Sequence, residues 1–332
     1  MTVLYVKEQG AIIQKQSERI LISKNRKNLL ELPLDNIEGI TVIGNIQITA
    51  PAIRSLMEKG IDISYFSFSG KYLGSTTSDS SKNIFLRLAQ YNLYQDLNQR
   101  TALAKKIVLN KISNQIQLLH SHRWENDHAS IQEDLKQLEL LLQKAGLAGT
   151  ANELMGFEGK ASNIYFQDYG KMFKCNCQFS GRNRRPPRDP INVIISLGYT
   201  FLTKEVSLAL ESESFEMYLG FLHGIRYGRK SLPLDIVEEF RQPIVDRMVL
   251  KLFNKRMIQE FDFSTENSFI HLNEEGFQKF CREFERWMTD PEISGEPLGY
   301  RGIIQNQARS LKYALQKKGV YEPYCLKKKN ST

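Results

Sequence analysis

Over its first 78 residues the chain alternates short apolar runs with polar or glycine-bearing turns. Leu4 to Val6, Ala11 to Gln14, Arg19 to Ser23 and Gly39 to Val42 each read as a short β-strand. A helical interlude follows, opened by Pro51 in a favoured first-turn position and striped by Ile53, Leu56 and Met57. Ile61 to Phe66 is a further strand, and Tyr72 and Leu73 close a hairpin across Ser69-Gly70. The polar run from Ser75 to Lys82 reads as a linker.

From residue 83 the apolar spacing becomes helical. Leu86, Leu93 and Leu97 share one face, as do Ile112, Ile116 and Leu119, so residues 83–120 predict one long helical stretch. His128 to Ala145 is a second helix, stopped by Gly146. Glu153 to Phe173, Pro190 to Leu210, Phe215 to Ile225, Leu234 to Lys255, Asn273 to Met288 and Gly302 to Lys318 complete the set. No internal period suggests a solenoid. The pattern predicts an α+β protein: a small N-terminal β-rich domain over residues 1–78, followed by a larger all-α domain over 79–332.

Composition narrows the class. In 332 residues, 41% are hydrophobic and 25% charged, as in a soluble globular protein. No apolar run approaches a membrane span, and the start carries no secretory pattern. The four cysteines, Cys175, Cys177, Cys281 and Cys325, match neither a zinc nor a disulfide framework. A cytoplasmic protein with reduced thiols is expected. The net charge of +8 points to a polyanionic partner, and its densest site is residues 182–188. There Arg182, Arg184, Arg185 and Arg188 flank two prolines that stiffen an extended loop, and each guanidinium can give two donors to a phosphate.

The candidates for chemistry all lie after residue 83. If a helix starts near Pro233, Asp235, Glu238 and Glu239 share one face, where they either complement the helix dipole or hold a cation. His223 falls on the apolar face of the 215–225 helix, a position more often filled by a satisfied core histidine, but it stands only 15 residues before Glu238. On the 153–173 helix, Glu158, Ala161, Ser162 and Tyr165 share a face. The small residues allow close approach of another helix, and a carboxylate buried there needs a counter-charge or a metal. The chain has no P-loop, no dinucleotide-binding glycine motif and no nucleophile elbow, which lowers the case for nucleotide hydrolysis, dinucleotide redox chemistry and serine hydrolysis.

Taken in order, these segments resemble the Cas-one family, the CRISPR-associated integrases of spacer acquisition. The resemblance runs over almost the whole chain. It includes Leu32 to Gly44 and Gly60 to Phe66 in the β-rich part, and Lys105 to Gln115 in the first long helix. Its specific part is the ordered set Glu158 to Ala161, Asp189 to Tyr199, Leu222-His223, and Asp235 to Arg241. The resemblance implies a divalent-metal-dependent DNA endonuclease and integrase whose Mg²⁺ or Mn²⁺ is held by Glu158, His223 and Glu238. The family places Asp or Glu third, so Asp235, otherwise an assisting carboxylate, is the rival for that place. Two carboxylates and one imidazole with open positions suit these ions.

The implied reaction is attack by the 3′-hydroxyl of a short DNA fragment on the boundary of a CRISPR repeat. Arg226 and Arg241 become candidates for steadying phosphate charge, and Tyr165 for orienting the attacking group or packing on DNA, with a simple core residue as the alternative. The implied partners are double-stranded and branched DNA, a second copy of the chain through the β domain, and the small Cas-two protein, with no membrane. A non-catalytic nucleic-acid scaffold and a repair nuclease acting on branched DNA are the alternatives.

Overall fold

The computed structural model describes residues 2–68, 70–78, 83–122, 128–175, 179–183, 186–266 and 269–326. The chain divides into two compact units, Met1–Ser80 and Ser81–Thr332. The first is β-rich and the second mostly helical.

Two four-stranded sheets make up the N-terminal unit. One runs β1 (Thr2–Val6), β5 (Ile37–Ile43), β7 (Asp62–Phe66), β8 (Tyr72–Thr76); the other runs β4 (Lys27–Pro33), β3 (Arg19–Lys24), β2 (Ile12–Gln16), β6 (Gln47–Ile48). Strand β5 lies parallel to both of its neighbours, with Val42 opposite Val6 and Tyr65. Its residues from Gly39 to Ile43 are buried without alternation, as expected of a parallel strand covered on both faces. Helix α1 (Ala50–Glu58) starts with Pro51 in its first turn and adds Ala52 and Leu56 to a core shared with Ile13, Ile40 and Ile63. Strands β4 and β6 were not expected. All of β4 from Lys27 to Glu31 is exposed, so it carries no buried alternation to read.

The helical unit begins with α2 (Ile84–Gln95) and α3 (Leu97–His120). The stretch expected as one helix is broken at Asp96, which is extended and accepts the amides of Asn98 and Gln99 at 3.0 and 3.1 Å, capping α3. Next come α4 (His128–Leu147) and α5 (Ala151–Lys171), the latter started by a reciprocal Thr150/Glu153 capping box. Helix α6 (Pro190–Ser212) follows, capped by Asp189. It is the one helix among the described residues long and apolar enough to cross a membrane, yet 72% of its most apolar window is buried inside the protein. Its apolarity serves a core.

Two expected helices are not formed as expected. Residues 215–225 form a loop, because its amides are captured from outside the segment, as described below. The 234–255 stretch is four short pieces: α7 (Ser231–Ile236), a 3₁₀ turn (Val237–Glu239), a π-helical turn (Arg241–Asp246) and α8 (Arg247–Asn254). Pro243 donates no hydrogen bond and its ring crowds the carbonyl four residues back, which rules out a regular helix there. The unit is also not wholly α-helical: β9 (Phe263–Glu266) and β10 (Phe269–Leu272) form an antiparallel hairpin. Helices α9 (Glu274–Thr289), α10 (Pro291–Ser294) and α11 (Gly299–Leu315) complete it. Cys281 and Cys325 are not disulfide-bonded, as expected, but Cys175 is; Cys177 lies outside the described residues.

Candidate functional site

Helix α5 presents Glu158 toward α3. Ala161, one turn on, is fully buried, and the Ser162 hydroxyl donates to Glu158 Oε1 at 2.9 Å while accepting from the Gln115 amide at 3.2 Å. The small residues do permit the close approach read from the sequence. The counter-charge is Lys111 of α3, a residue the sequence reading missed. Its Nζ bonds Glu158 Oε1 and stands 2.6 Å from Glu238 Oε2. Its signal was available: Lys111 falls among Ile107, Val108 and Ile112 on the buried face of α3, where a lysine needs a reason.

Glu238 sits on the 3₁₀ turn, with its side chain only 4% exposed. Arg241 holds its Oε1 at 3.0 Å. Its Oε2 is paired with the Lys111 ammonium. Burial opposes ionisation of Glu238. The charges of Arg241 and then Lys111 outweigh it, with a smaller contribution from His223, and hold the pKa at about 2. Glu238 is therefore an ionised acceptor at neutral pH.

His223 belongs to the 213–230 loop rather than to a helix end. Asp235, fully buried in α7, organises that loop. Its Oδ2 accepts the amides of Phe221 and Leu222, and its Oδ1 accepts the amide of His223 at 2.9 Å and pairs with His223 Nδ1 at 2.7 Å. With Nδ1–H donating to Asp235, the Nε2 lone pair is left for a ligand. Gly220 makes this possible, since a Cβ there would lie 2.8 Å from Asp235 Oδ2 and 2.9 Å from the His223 carbonyl.

The three carboxylates expected on one face take three directions. Asp235 faces the 221–223 amides and Glu238 faces Lys111. Glu239 accepts the Tyr321 hydroxyl and the Tyr324 amide at 2.9 Å; burial pushes its pKa up to about 7 against these bonds. Asp235 has both oxygens engaged, which favours Glu238 over it as an ion ligand. Among the described residues, no three His, Cys, Asp or Glu already enclose a cation position. Glu158 and Glu238 meet at Lys111 instead.

Other candidates are placed differently from expectation. Tyr165 is fully buried and donates to Asp246 Oδ2 at 2.7 Å, so it is core and does not reach DNA. Tyr199 donates to Asp246 Oδ1 at 2.7 Å, and the Arg241 guanidinium lies 4.6 Å from the Tyr199 ring centroid. Arg241 is thus fixed against Glu238 and Tyr199 and steadies a carboxylate, not a phosphate. Arg182 is also tied down: it donates to Asn192 Oδ1 at 2.7 Å and Ser196 Oγ at 3.0 Å, at the start of α6. Arg188 and Arg226 are exposed, as a phosphate contact requires. Arg184 and Arg185 lie outside the described residues.

A β-rich unit followed by a helical one, with a buried lysine between two acids and a histidine keyed by a third, defines a class of charged-site helical protein to which known proteins can be compared. The family model described as CRISPR associated protein Cas1 matches residues 4–286. A CRISPR-associated endonuclease Cas1 of Thermus thermophilus is 35% identical over 331 residues, covering 98% of this chain and 97% of the relative. The solved structure of a Cas1 protein from Thermotoga maritima superposes with a TM-score of 0.85 at 26% identity, over 96% of this chain and 98% of that one. A Cas6-RT-Cas1–Cas2 complex gives a TM-score of 0.83 at 27% identity, over 99% of this chain and 36% of the longer one. The chain belongs to the Cas1 family of CRISPR-associated proteins. Its function is the integration step of spacer acquisition, performed by an endonuclease/integrase.

Proposed function

We propose that the protein is a divalent-metal-dependent DNA integrase in which Glu158, His223 and Glu238 hold Mg²⁺ or Mn²⁺. The observation that carries this reading is the convergence of two carboxylates, Glu158 and Glu238, on one cation position, beside an imidazole whose Nδ1 is engaged by Asp235. The donor set fits: hard carboxylate oxygens of Glu158 and Glu238, already converging on one cation, and one imidazole nitrogen. A bound ion would supply Lewis-acid activation of a phosphodiester oxygen and ease loss of the proton from the attacking hydroxyl.

The protein's own residues do the rest. Asp235 fixes the tautomer and direction of His223, Arg241 keeps Glu238 ionised and in place, and Tyr199 and Asp246 hold Arg241. Exposed Arg226, three residues beyond His223, and Arg188 are suited to DNA phosphates. In the reaction, the 3′-hydroxyl oxygen of a DNA fragment forms the new P–O bond as the repeat's own 3′ oxygen leaves. One phosphodiester replaces another, so no ATP is needed. The 3′-hydroxyl proton passes to solvent and the departing oxygen takes one up.

The wider reading is a cytoplasmic protein of prokaryotic antiviral defence. It acts on protospacer and repeat DNA as a homodimer through its β-rich unit, together with a Cas2 protein; the relative solved with Cas2 supports that pairing. Half-site integration into repeat-bearing DNA, measured with Mg²⁺, Mn²⁺ or EDTA, tests the function. Activity is expected only with the ions and is expected to disappear in Glu158→Ala, His223→Ala and Glu238→Ala. Full activity in any of the three would overturn the assignment, and cleavage of generic branches without repeat integration would favour a repair nuclease. Sedimentation as a strict monomer at micromolar concentration would remove the dimer.

A further inference from the structure

Lys111 is the residue of this site that a metal-binding role does not explain. Its side chain is 6% exposed, and its ammonium sits between the two carboxylates expected to ligate the ion, in contact with both. Two cations cannot share that position: like charges a few ångströms apart in a poorly solvated site repel by several kcal/mol. The neighbours divide into fixed and movable. Arg241 is held by Glu238 and by the Tyr199 ring. Glu158 is held by Ser162, which Gln115 holds in turn. Lys111 has a flexible four-carbon stem, and among the described residues the partners that hold its ammonium are the two carboxylates the ion would take.

We propose that the Lys111 ammonium occupies the cation position of the site in the ion-free protein and leaves it when a divalent ion enters, to become a cationic contact for a DNA phosphate. The inference rests on the metal site proposed above. It has a thermodynamic consequence. An ion binding the DNA-free protein must expel an internal cation from both of its anionic partners, whereas with DNA present the ammonium gains a phosphate partner. Ion and DNA therefore bind with positive coupling through one side chain, and the site stays weakly loaded until substrate arrives.

The test is Mn²⁺ binding, read from the EPR signal of free Mn²⁺ on the full chain without DNA. Lys111→Met removes the competitor at similar length, and its Mn²⁺ affinity is expected to rise at least about fivefold, the low end of ordinary coupling between two ligands. Lys111→Arg keeps a cation and is expected to bind Mn²⁺ no tighter than the native protein. With branched DNA added, native affinity should rise and the Lys111→Met affinity should rise less. A Lys111→Met affinity equal to or weaker than native overturns the proposal, as does equal enhancement by DNA in both.

Should Lys111→Met fail to fold, amine labelling of the native protein decides. Reactivity of Lys111, read by mass spectrometry, is expected to increase when Mn²⁺ is added, and unchanged reactivity at saturating Mn²⁺ rejects displacement. Glu158→Gln and Glu238→Gln separate the two layers. If they bind Mn²⁺ as the native protein does, the metal site itself is wrong. If they lose it while Lys111→Met is unchanged, only the role of Lys111 falls.

Discussion

Replacing Asp235 by asparagine keeps the size of the side chain and removes its charge and one acceptor. The native carboxylate is shared two ways: Oδ2 serves the amides of Phe221 and Leu222, and Oδ1 serves the amide and Nδ1 of His223. An asparagine has two ways to sit. With its NH₂ toward 221 and 222, two hydrogen bonds to a charged group are lost, at about 1.5–3 kcal/mol each, or about 3–6 in all. With its NH₂ toward His223, only the His223 amide loses its acceptor, about 1.5–3 kcal/mol, but the ring must now accept at Nδ1. The second arrangement costs less. It leaves His223 protonated at Nε2, with no lone pair for an ion.

Asp235→Asn is therefore expected to lose about 1.5–3 kcal/mol in urea unfolding followed by circular dichroism. That is a fall in Tm of roughly 3–12 °C for a unit of this size. Its Mn²⁺ affinity should fall about 10–100-fold, as for other residues that orient a metal-binding histidine. A variant with native stability and native Mn²⁺ affinity would refute the view that this carboxylate organises the loop and sets the tautomer.

Three further outcomes can be measured. Gly220→Ala places a Cβ 2.8 Å from Asp235 Oδ2 and Ser231 Cβ, and should cost about 1–3 kcal/mol of unfolding free energy; an unchanged urea midpoint would contradict that packing. Burial raises Asp246 to a pKa of about 6, against the opposing pull of the Tyr199 and Tyr165 hydroxyls and of Arg241, from an ordinary 3.8. A raised carboxyl binds protons more tightly when folded, so its contribution declines as pH rises from about 4 to 6; the stability difference between native protein and Asp246→Asn should change by on the order of 2–3 kcal/mol over that window, and a flat difference would show an ordinary carboxyl. Duplex DNA affinity should fall steeply with salt, and Arg188→Ala and Arg226→Ala should each lower the log–log slope by about one; affinity insensitive to salt would remove the phosphate assignment.

Sequence pattern exposed those parts of the fold that bury one face. Strands β1, β2, β3 and β7 and helices α4, α5 and α9 carry a readable stripe, whereas β5 and α6, buried on nearly all sides, show as apolar runs. It failed where local chemistry overrides periodicity. Phe215, Leu219 and His223 have helical spacing, yet the amides of residues 221–223 bond a carboxylate 12 to 14 residues away, a partner no local window contains. The 3₁₀ turn after Ile236 likewise separated three acids that helical spacing had placed together.

In the candidate site, the importance of Glu158, His223 and Glu238 was visible only through the resemblance. Lys111 needed no resemblance, because a lysine inside an apolar stripe is anomalous by itself. The basic loop misled in part: Arg182 looked free for phosphate, but it hydrogen-bonds Asn192 and Ser196 at the start of α6.

The π turn constrains the spacing of the chain as well as its shape. A π turn closes its ring over five residues, so Arg241 and Asp246 come back to the same side and both reach Tyr199, one over the ring and one at the hydroxyl. In an α-helix, residues five apart point to different sides. Deleting a single residue between them would turn Asp246 away from that side and part the guanidinium from the carboxylate that anchors its platform. The intervening residues Gln242, Pro243, Ile244 and Val245 are all buried, so both their packing and their number are constrained. Divergent descendants of this sequence should therefore keep the count of four intervening residues.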